Sequence, residues 1–154
     1  MNHPADPPDG AGAESDVGRP TGSDGRLLEV LTSEGYLPVV ACVAGDASGR
    51  VFNVNADQMA AACAASFRAD RLVFLTDVEG VRDASGGVLP ALTRAGARAL
   101  IEKGVATGGM QAKLEAASSA LDSGVGEILT APGNMPGIIG QVLGGVQVGT
   151  RMVA

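Results

Sequence analysis

Tryptophan is absent from this chain, tyrosine occurs once and phenylalanine three times. Any core must therefore be built mainly from Ala, Val and Leu. Histidine is almost missing too: His3, in a Pro- and Asp-rich stretch, is the single example. That excludes a histidine general base and a histidine metal site from the folded part. The two cysteines, Cys42 and Cys63, sit in apolar runs without metal-ligand spacing. They read as small buried hydrophobes in a reducing compartment. No run approaches the roughly 20 apolar residues of a membrane span, and the N-terminus lacks the apolar segment of a signal peptide. A cytoplasmic protein without a membrane partner is expected. Positive charge is also short, with 11 Lys and Arg against 17 Asp and Glu, a net charge of −6. Nucleic acid is excluded as a partner, because it needs a basic face. A mononucleotide is not excluded, because a few backbone amides and one Lys can hold its phosphates.

What remains is ample for one domain: 154 residues, 45% of them apolar. Residues 1–23 are dominated by Pro, Gly, Asp and Ala and are expected to form a disordered tail, since they cannot bury enough surface to offset their ordering entropy. From Asp24 the pattern changes. Asp24 can cap a helix carrying Leu27, Leu28, Val30 and Leu31 and ending near Gly35. The unbroken apolar run Leu37–Ala44 reads as a strand covered on both faces, and Arg50–Val54 as the return strand of a hairpin. A helix from Asn55 to about Phe67 follows, then a buried strand, Asp70–Thr76. Residues 77–89 are turn-rich, with a hairpin tip at Ser85–Gly87. Thr93 caps a helix to about Lys103, and Gly108 opens another to about Ser123. A short strand at Glu127–Thr130, a helix over Pro136–Leu143 and a closing strand at Thr150–Val153 complete the reading. Alternating strands and helices predict an α/β fold of three αβα layers with a mainly parallel sheet. Ligands in such folds bind beyond the carboxyl ends of the strands.

Three segments could carry chemistry. In Asn53-Val-Asn55-Ala-Asp57 a strand runs straight into a helix, whose free N–H groups attract anions. Asp57 could orient lysines there; simple capping by Asn55 is the alternative. In Thr76-Asp77-Val78-Glu79-Gly80-Val81 a buried strand ends in polar groups, and Gly80 permits a close backbone approach; a plain turn is the alternative. In Thr107-Gly108-Gly109 two glycines open a helix with Lys113 about one turn in, a point charge for a phosphoryl group. A solvent-facing Lys is the alternative, and the spacing is not that of a Walker A loop. Gly149-Thr150-Arg151 reads as a strand start, with contact to another element or subunit as the alternative.

Taken in order, GYLPVVACVAGDASGRVFNVNAD, LVFLTDVEGVRD, TGGMQAK and VGTR resemble the C-terminal half of N-acetylglutamate kinase, of the amino acid kinase superfamily. The resemblance covers roughly residues 16–154. It implies that residues 24–154 are an ATP-binding half-domain, truncated relative to the family. It also implies transfer of a phosphoryl group from ATP, carried with Mg2+, to the side-chain carboxylate of N-acetyl-L-glutamate in arginine biosynthesis, with no tightly bound cofactor and no metal site in the protein. By the same resemblance Asn53 contacts the acyl amino acid, Asp57 organises catalytic lysines and Lys113 stabilises the transferring phosphoryl group. Asp77, Val78, Glu79, Gly80, Val81 and Arg82, with Val105, Ala106 and Thr107, line the ATP site. The family's N-terminal half carries a Gly-rich loop with a first catalytic Lys and an Arg for the acyl group, and this chain has no Lys before Lys103. Weak or absent turnover by the chain alone is expected, with a homo-oligomer or a complementing N-terminal half as partner. Two alternatives are a non-catalytic nucleotide-binding module and another superfamily member, an aspartate, carbamate or uridylate kinase.

Overall fold

Alanine sets how closely the layers of this protein approach one another. The structure is a computed structural model, and it describes residues 17–153. In chain order the elements are β1 (Val17–Gly18), α1 (Arg26–Ser33), β2 (Val43–Gly45), β3 (Val51–Val54), α2 (Ala56–Phe67), β4 (Arg71–Thr76), β5 (Ala91–Thr93), α3 (Arg94–Glu102), α4 (Gly108–Asp122), β6 (Glu127–Pro132), α5 (Ile138–Leu143) and β7 (Thr150–Val153). The small side chains Ala61 and Ala64 of α2, and Ala116, Ala117 and Ala120 of α4, are buried in one apolar cluster. Short side chains on both partners let the two helices pack closely.

Two sheets form. The larger has the order β4-β6-β7-β5, with β4 parallel to β6, β5 parallel to β7, and β6 antiparallel to β7. Strand alternation gives it two apolar faces. Ile128 of β6, Phe74 of β4 and Met152 of β7 join the cluster made with α2, α3 and α4. Leu129 and Ala131 of β6 point the other way, into a second cluster with Ile138 and Val142 of α5. Helices on both faces of a sheet make the three αβα layers that the sequence predicts. The smaller sheet has the order β1-β3-β2, with β1 parallel and β2 antiparallel to β3.

Several expectations change. The run Leu37–Ala44 is not a buried strand: only Val43–Gly45 pair, and Leu37 and Val39 are 89% and 93% exposed. A continuous apolar run implies cover on both faces, and none of the described residues supplies it here. Residues 17–23, grouped with the tail by composition, belong to the described fold, since Val17 and Gly18 pair with Asn53 and Val54. Backbone pairing rather than apolar burial holds them, and Gly18 lies so near Phe52 that an added Cβ would stand 2.8 Å from its Cβ. The rest of the expected tail lies outside the described residues. The N-cap of α1 is Gly25 rather than Asp24, although the Asp24 carboxylate accepts the Arg26 N–H at 3.0 Å. Strand β5 was not foreseen.

At the end of the large sheet where β4 and β6 begin, Glu127 is clamped between Arg71 and Arg151, with both of which it forms ion pairs. Burial pushes its carboxyl up, but the hydrogen bonds and charges of Arg151 and Arg71 together outweigh this and hold it below the usual glutamate range. A carboxyl depressed in the folded state contributes stability above its unfolded pKa, and that stability is lost as pH falls through the folded value. Urea midpoints followed downward from pH 6 are therefore expected to fall below about pH 4.5, the ordinary glutamate value. Glu127→Gln should have a lower midpoint at pH 6 and a smaller acid-induced fall.

Candidate functional site

The site is built where strand β3 hands over to helix α2. Asn55 is the N-cap, and its side-chain oxygen accepts the N–H groups of Asp57 at 3.0 Å and Gln58 at 3.3 Å. Capping by Asn55 and a role for Asp57 are thus compatible, because Asn55 takes the amides and leaves the Asp57 carboxylate free. An acidic group in this first turn is favoured by the helix dipole. Asn53 lies two residues earlier on β3, opposite Val17 and Val43 in the ladders, and is exposed.

Helix α4 brings the cation. Thr107 is its N-cap by backbone, accepting from Met110 and Gln111, and its side chain makes no capping bond. Gly108, the first helical residue, has φ +53°, a left-handed conformation that glycine tolerates. Lys113 follows one and a half turns on. Its Nζ donates to Asp57 Oδ1 at 2.5 Å, and the side chains are only 13% and 19% exposed. Nζ also stands 4.7 Å from the centroid of the Phe74 ring, within cation–π range. Phe74 is buried at 4%. Lys113 is therefore fixed from two sides, by a carboxylate on α2 and a ring on β4. An ion pair this sheltered differs from a surface pair worth about 0–1 kcal/mol; removing one partner strands the other charge at a cost of roughly 3–5 kcal/mol.

The third segment leaves the carboxyl end of β4. The Thr76 hydroxyl donates to Asp77 at 3.1 Å, and Gly133, following parallel strand β6, donates its N–H to Thr76 at 2.7 Å. Asp77 and Glu79 are exposed, Val78 is half-buried, and Gly80 and Val81 are buried. Arg82 pairs with Glu79 at 3.8 Å and bridges Val88 across the hairpin, whose tip is closed by Asp83 accepting from Ser85 and Gly87. Ala106 and Val81 join the same apolar cluster as Leu114 of α4, with Val105 half-buried beside them. The Asp77–Arg82 and Val105–Thr107 segments thus lean on one core. Direct side-chain pairing joins Asp57 to Lys113; Asn53 and Asp77 make no such contact with that pair. Phe74 was missed because strand alternation gives its face but not the ammonium above it. Thr150 opens β7 as the sequence predicts, and its hydroxyl also reaches the Val81 loop, the contact to another element that the sequence leaves as the alternative.

This is an αβα protein in which a helix opened by a glycine pair carries one member of a sheltered Lys–Asp pair, and a loop at a strand's carboxyl end leans on the same core. That is the kind of α/β protein in which anionic ligands bind at one sheet edge. The sequence profile of the amino acid kinase family matches residues 3–130, and the chain belongs to that family. The acetylglutamate kinase of Solibacter usitatus is 60% identical over 137 residues, which are 89% of this chain and 53% of that protein. The chain thus spans about half the length of this curated relative. A Streptococcus mutans protein of known structure aligns with a TM-score of 0.76 at 30% identity, covering 90% of this chain and 51% of that one. The N-acetylglutamate synthase of Neisseria gonorrhoeae aligns with a TM-score of 0.79 at 24% identity, covering 93% of this chain and 39% of that one, a likeness of fold.

Proposed function

We propose that residues 24–154, together with the β1 segment, form the ATP-binding half of an acetylglutamate kinase. In this reading a side-chain carboxylate oxygen of N-acetyl-L-glutamate attacks the γ-phosphorus of MgATP, and the bond to the β-phosphate oxygen breaks, leaving an acyl phosphate and ADP. The observation that carries it is the sheltered Lys113–Asp57 pair, on a helix opened by Gly108 and Gly109. Phosphoryl transfer asks the protein for little covalent work; positioning and charge neutralisation dominate. Lys113 neutralises charge on the transferring group, Asp57 aims Lys113, and the first amides of α4 face phosphate oxygens. Asp77, Val78, Glu79, Gly80, Val81 and Arg82, with Val105, Ala106 and Thr107, hold the nucleotide. Asn53 meets the acyl amino acid. Magnesium travels with the nucleotide as part of the substrate. Arginine biosynthesis and a cytoplasmic setting follow from this reading; no helix among the described residues is long and apolar enough to cross a membrane.

The reading also calls for the family's other half, joined to this chain or separate from it. The Gly-rich loop, first lysine and acyl-binding arginine that the resemblance assigns to the other half have no counterpart in these 154 residues. Loss of orientation alone can cost roughly 7–11 kcal/mol of barrier lowering. The exposed face of the small sheet, where Val17, Val43 and Val51 are 62%, 54% and 65% exposed around Asn53, suits a covering half-domain. The experiment is a coupled ADP-release assay on the chain alone, and on the chain co-expressed with the unmatched segment of the Solibacter usitatus relative. Turnover on the order of 10 s⁻¹ with N-acetyl-L-glutamate is expected only for the pair. Full activity from the chain alone would contradict the need for a partner. Preference for aspartate, carbamate or a uridine nucleotide would contradict the substrate, and nucleotide binding without turnover in either sample would contradict the enzyme.

A further inference from the structure

Thr150 is 2% exposed, and its hydroxyl joins two segments far from it in sequence. Its Oγ1 accepts the Val81 N–H at 2.8 Å and donates to the Leu89 carbonyl at 2.6 Å. The Leu89 N–H in turn donates to the Val81 carbonyl at 2.8 Å. In an ordinary antiparallel pair the Val81 N–H would bond the Leu89 carbonyl directly, completing the exchange. Here a hydroxyl from β7 occupies the place of that second bond. The mouth of the 82–88 hairpin is thereby spread by one hydroxyl and tied to the large sheet. The packing leaves no slack, since a Cβ on Gly80 would stand 2.8 Å from Thr150 Oγ1 and 2.9 Å from Val88 Cγ1. A strand-opening threonine with no further task has no need to accept and donate across 69 and 61 residues.

We propose that Thr150 is a positioning residue for the nucleotide: its hydroxyl sets how far the Asp77–Arg82 loop stands from the opening of α4. This rests on the nucleotide reading above. Thr150 itself is buried, so its influence on a nucleotide runs through the loop that it holds. Without the hydroxyl, either the Val81 N–H and Leu89 carbonyl are left unpaired, or the hairpin mouth closes into a direct ladder and carries the loop with it. The first outcome removes the bonds that fix Gly80 and Val81 in place, and the second moves them, so neither keeps the arrangement that the folded chain holds ready.

The test is calorimetric titration of the full chain with the magnesium complex of AMP-PNP, each variant being held well below its own melting temperature. Thr150→Val keeps the shape and removes the hydroxyl; its affinity is expected to fall about tenfold or more, as for an unsatisfied buried group. Thr150→Ser keeps the hydroxyl and is expected to stay within about twofold of the original chain, given that the hydrogen bonds survive. Amide exchange at Val81 should quicken in Thr150→Val while the amides of α4 keep their protection, which general destabilisation would not produce. If Thr150→Val does not fold, Thr150→Ala carries the same comparison. Unchanged affinity in Thr150→Val, or loss in Thr150→Ser, would overturn the proposal alone. Failure of the original chain to bind the nucleotide would overturn the nucleotide reading, and this proposal with it.

Discussion

Replacing Lys113 with alanine is expected to slow phosphoryl transfer by about 10²–10³, the usual cost of one preorganised charged group at a developing anion. The assay is the one described for the chain paired with its complementing half. The loss should fall on kcat with little change in KM for ATP, because the interaction strengthens as charge moves in the transition state. Lys113→Arg is expected to recover little, since a planar guanidinium cannot occupy the compact place between Asp57 and the Phe74 ring. Asp57→Asn should cost nearly as much, for a different reason: the lysine survives but loses the carboxylate that aims it. The double variant should then lose little beyond Lys113→Ala alone, because residues acting as a unit are not additive. A fall in ATP affinity with kcat preserved would instead make Lys113 a ground-state anchor.

A large loss of stability is expected from substitution at Gly149. Its φ is +69°, and an added Cβ would stand 2.0 Å from the Thr130 carbonyl oxygen and 2.9 Å from the carbonyl carbon. Both atoms belong to β6, which is buried on both faces and cannot move aside cheaply. A left-handed non-glycine residue alone costs of order 1–3 kcal/mol. The backbone clash adds to this, so Gly149→Ala is expected to lose about 4 kcal/mol or more, in the range that marks a severe packing or strain defect. For a chain of this size that is a fall in melting temperature of roughly 10 °C or more. Thermal unfolding followed by circular dichroism checks it, and Gly109→Ala serves as the control. There an added Cβ meets nothing within 4 Å, so little change in melting temperature is expected.

The parts of this protein legible in its sequence are those set by local chemistry. Asn55 followed by an Ala-rich stretch announces a capped helix, and the cap is where expected. Thr93 and the Ser85–Gly87 tip are local too, and both hold. The partnership of Asp57 with Lys113 spans 56 residues. No spacing rule reaches that far, and its expectation came from the order of motifs along the chain. The run Leu37–Ala44 misled because apolar continuity reports what a segment would bury and not whether a cover is at hand. Val17 and Gly18 misled the other way: a two-residue strand held by backbone bonds leaves almost no compositional trace. Phe74 and Thr150 were illegible in role because each acts on a segment far away in the chain, one through a ring face beneath Lys113 and the other through a hydroxyl inserted between Val81 and Leu89 at the mouth of a hairpin.

The most direct measurement is a crystal structure of the chain with the magnesium complex of AMP-PNP. The account predicts a triphosphate at the opening of α4, with its terminal phosphate within about 4 Å of Lys113 Nζ, a salt-bridge distance, and the Asp77–Arg82 loop folded against the nucleotide. A nucleotide seated instead in the groove between α2 and α4 that Arg19, Gln58 and Ser119 line, with the Lys113–Asp57 pair untouched, would contradict it.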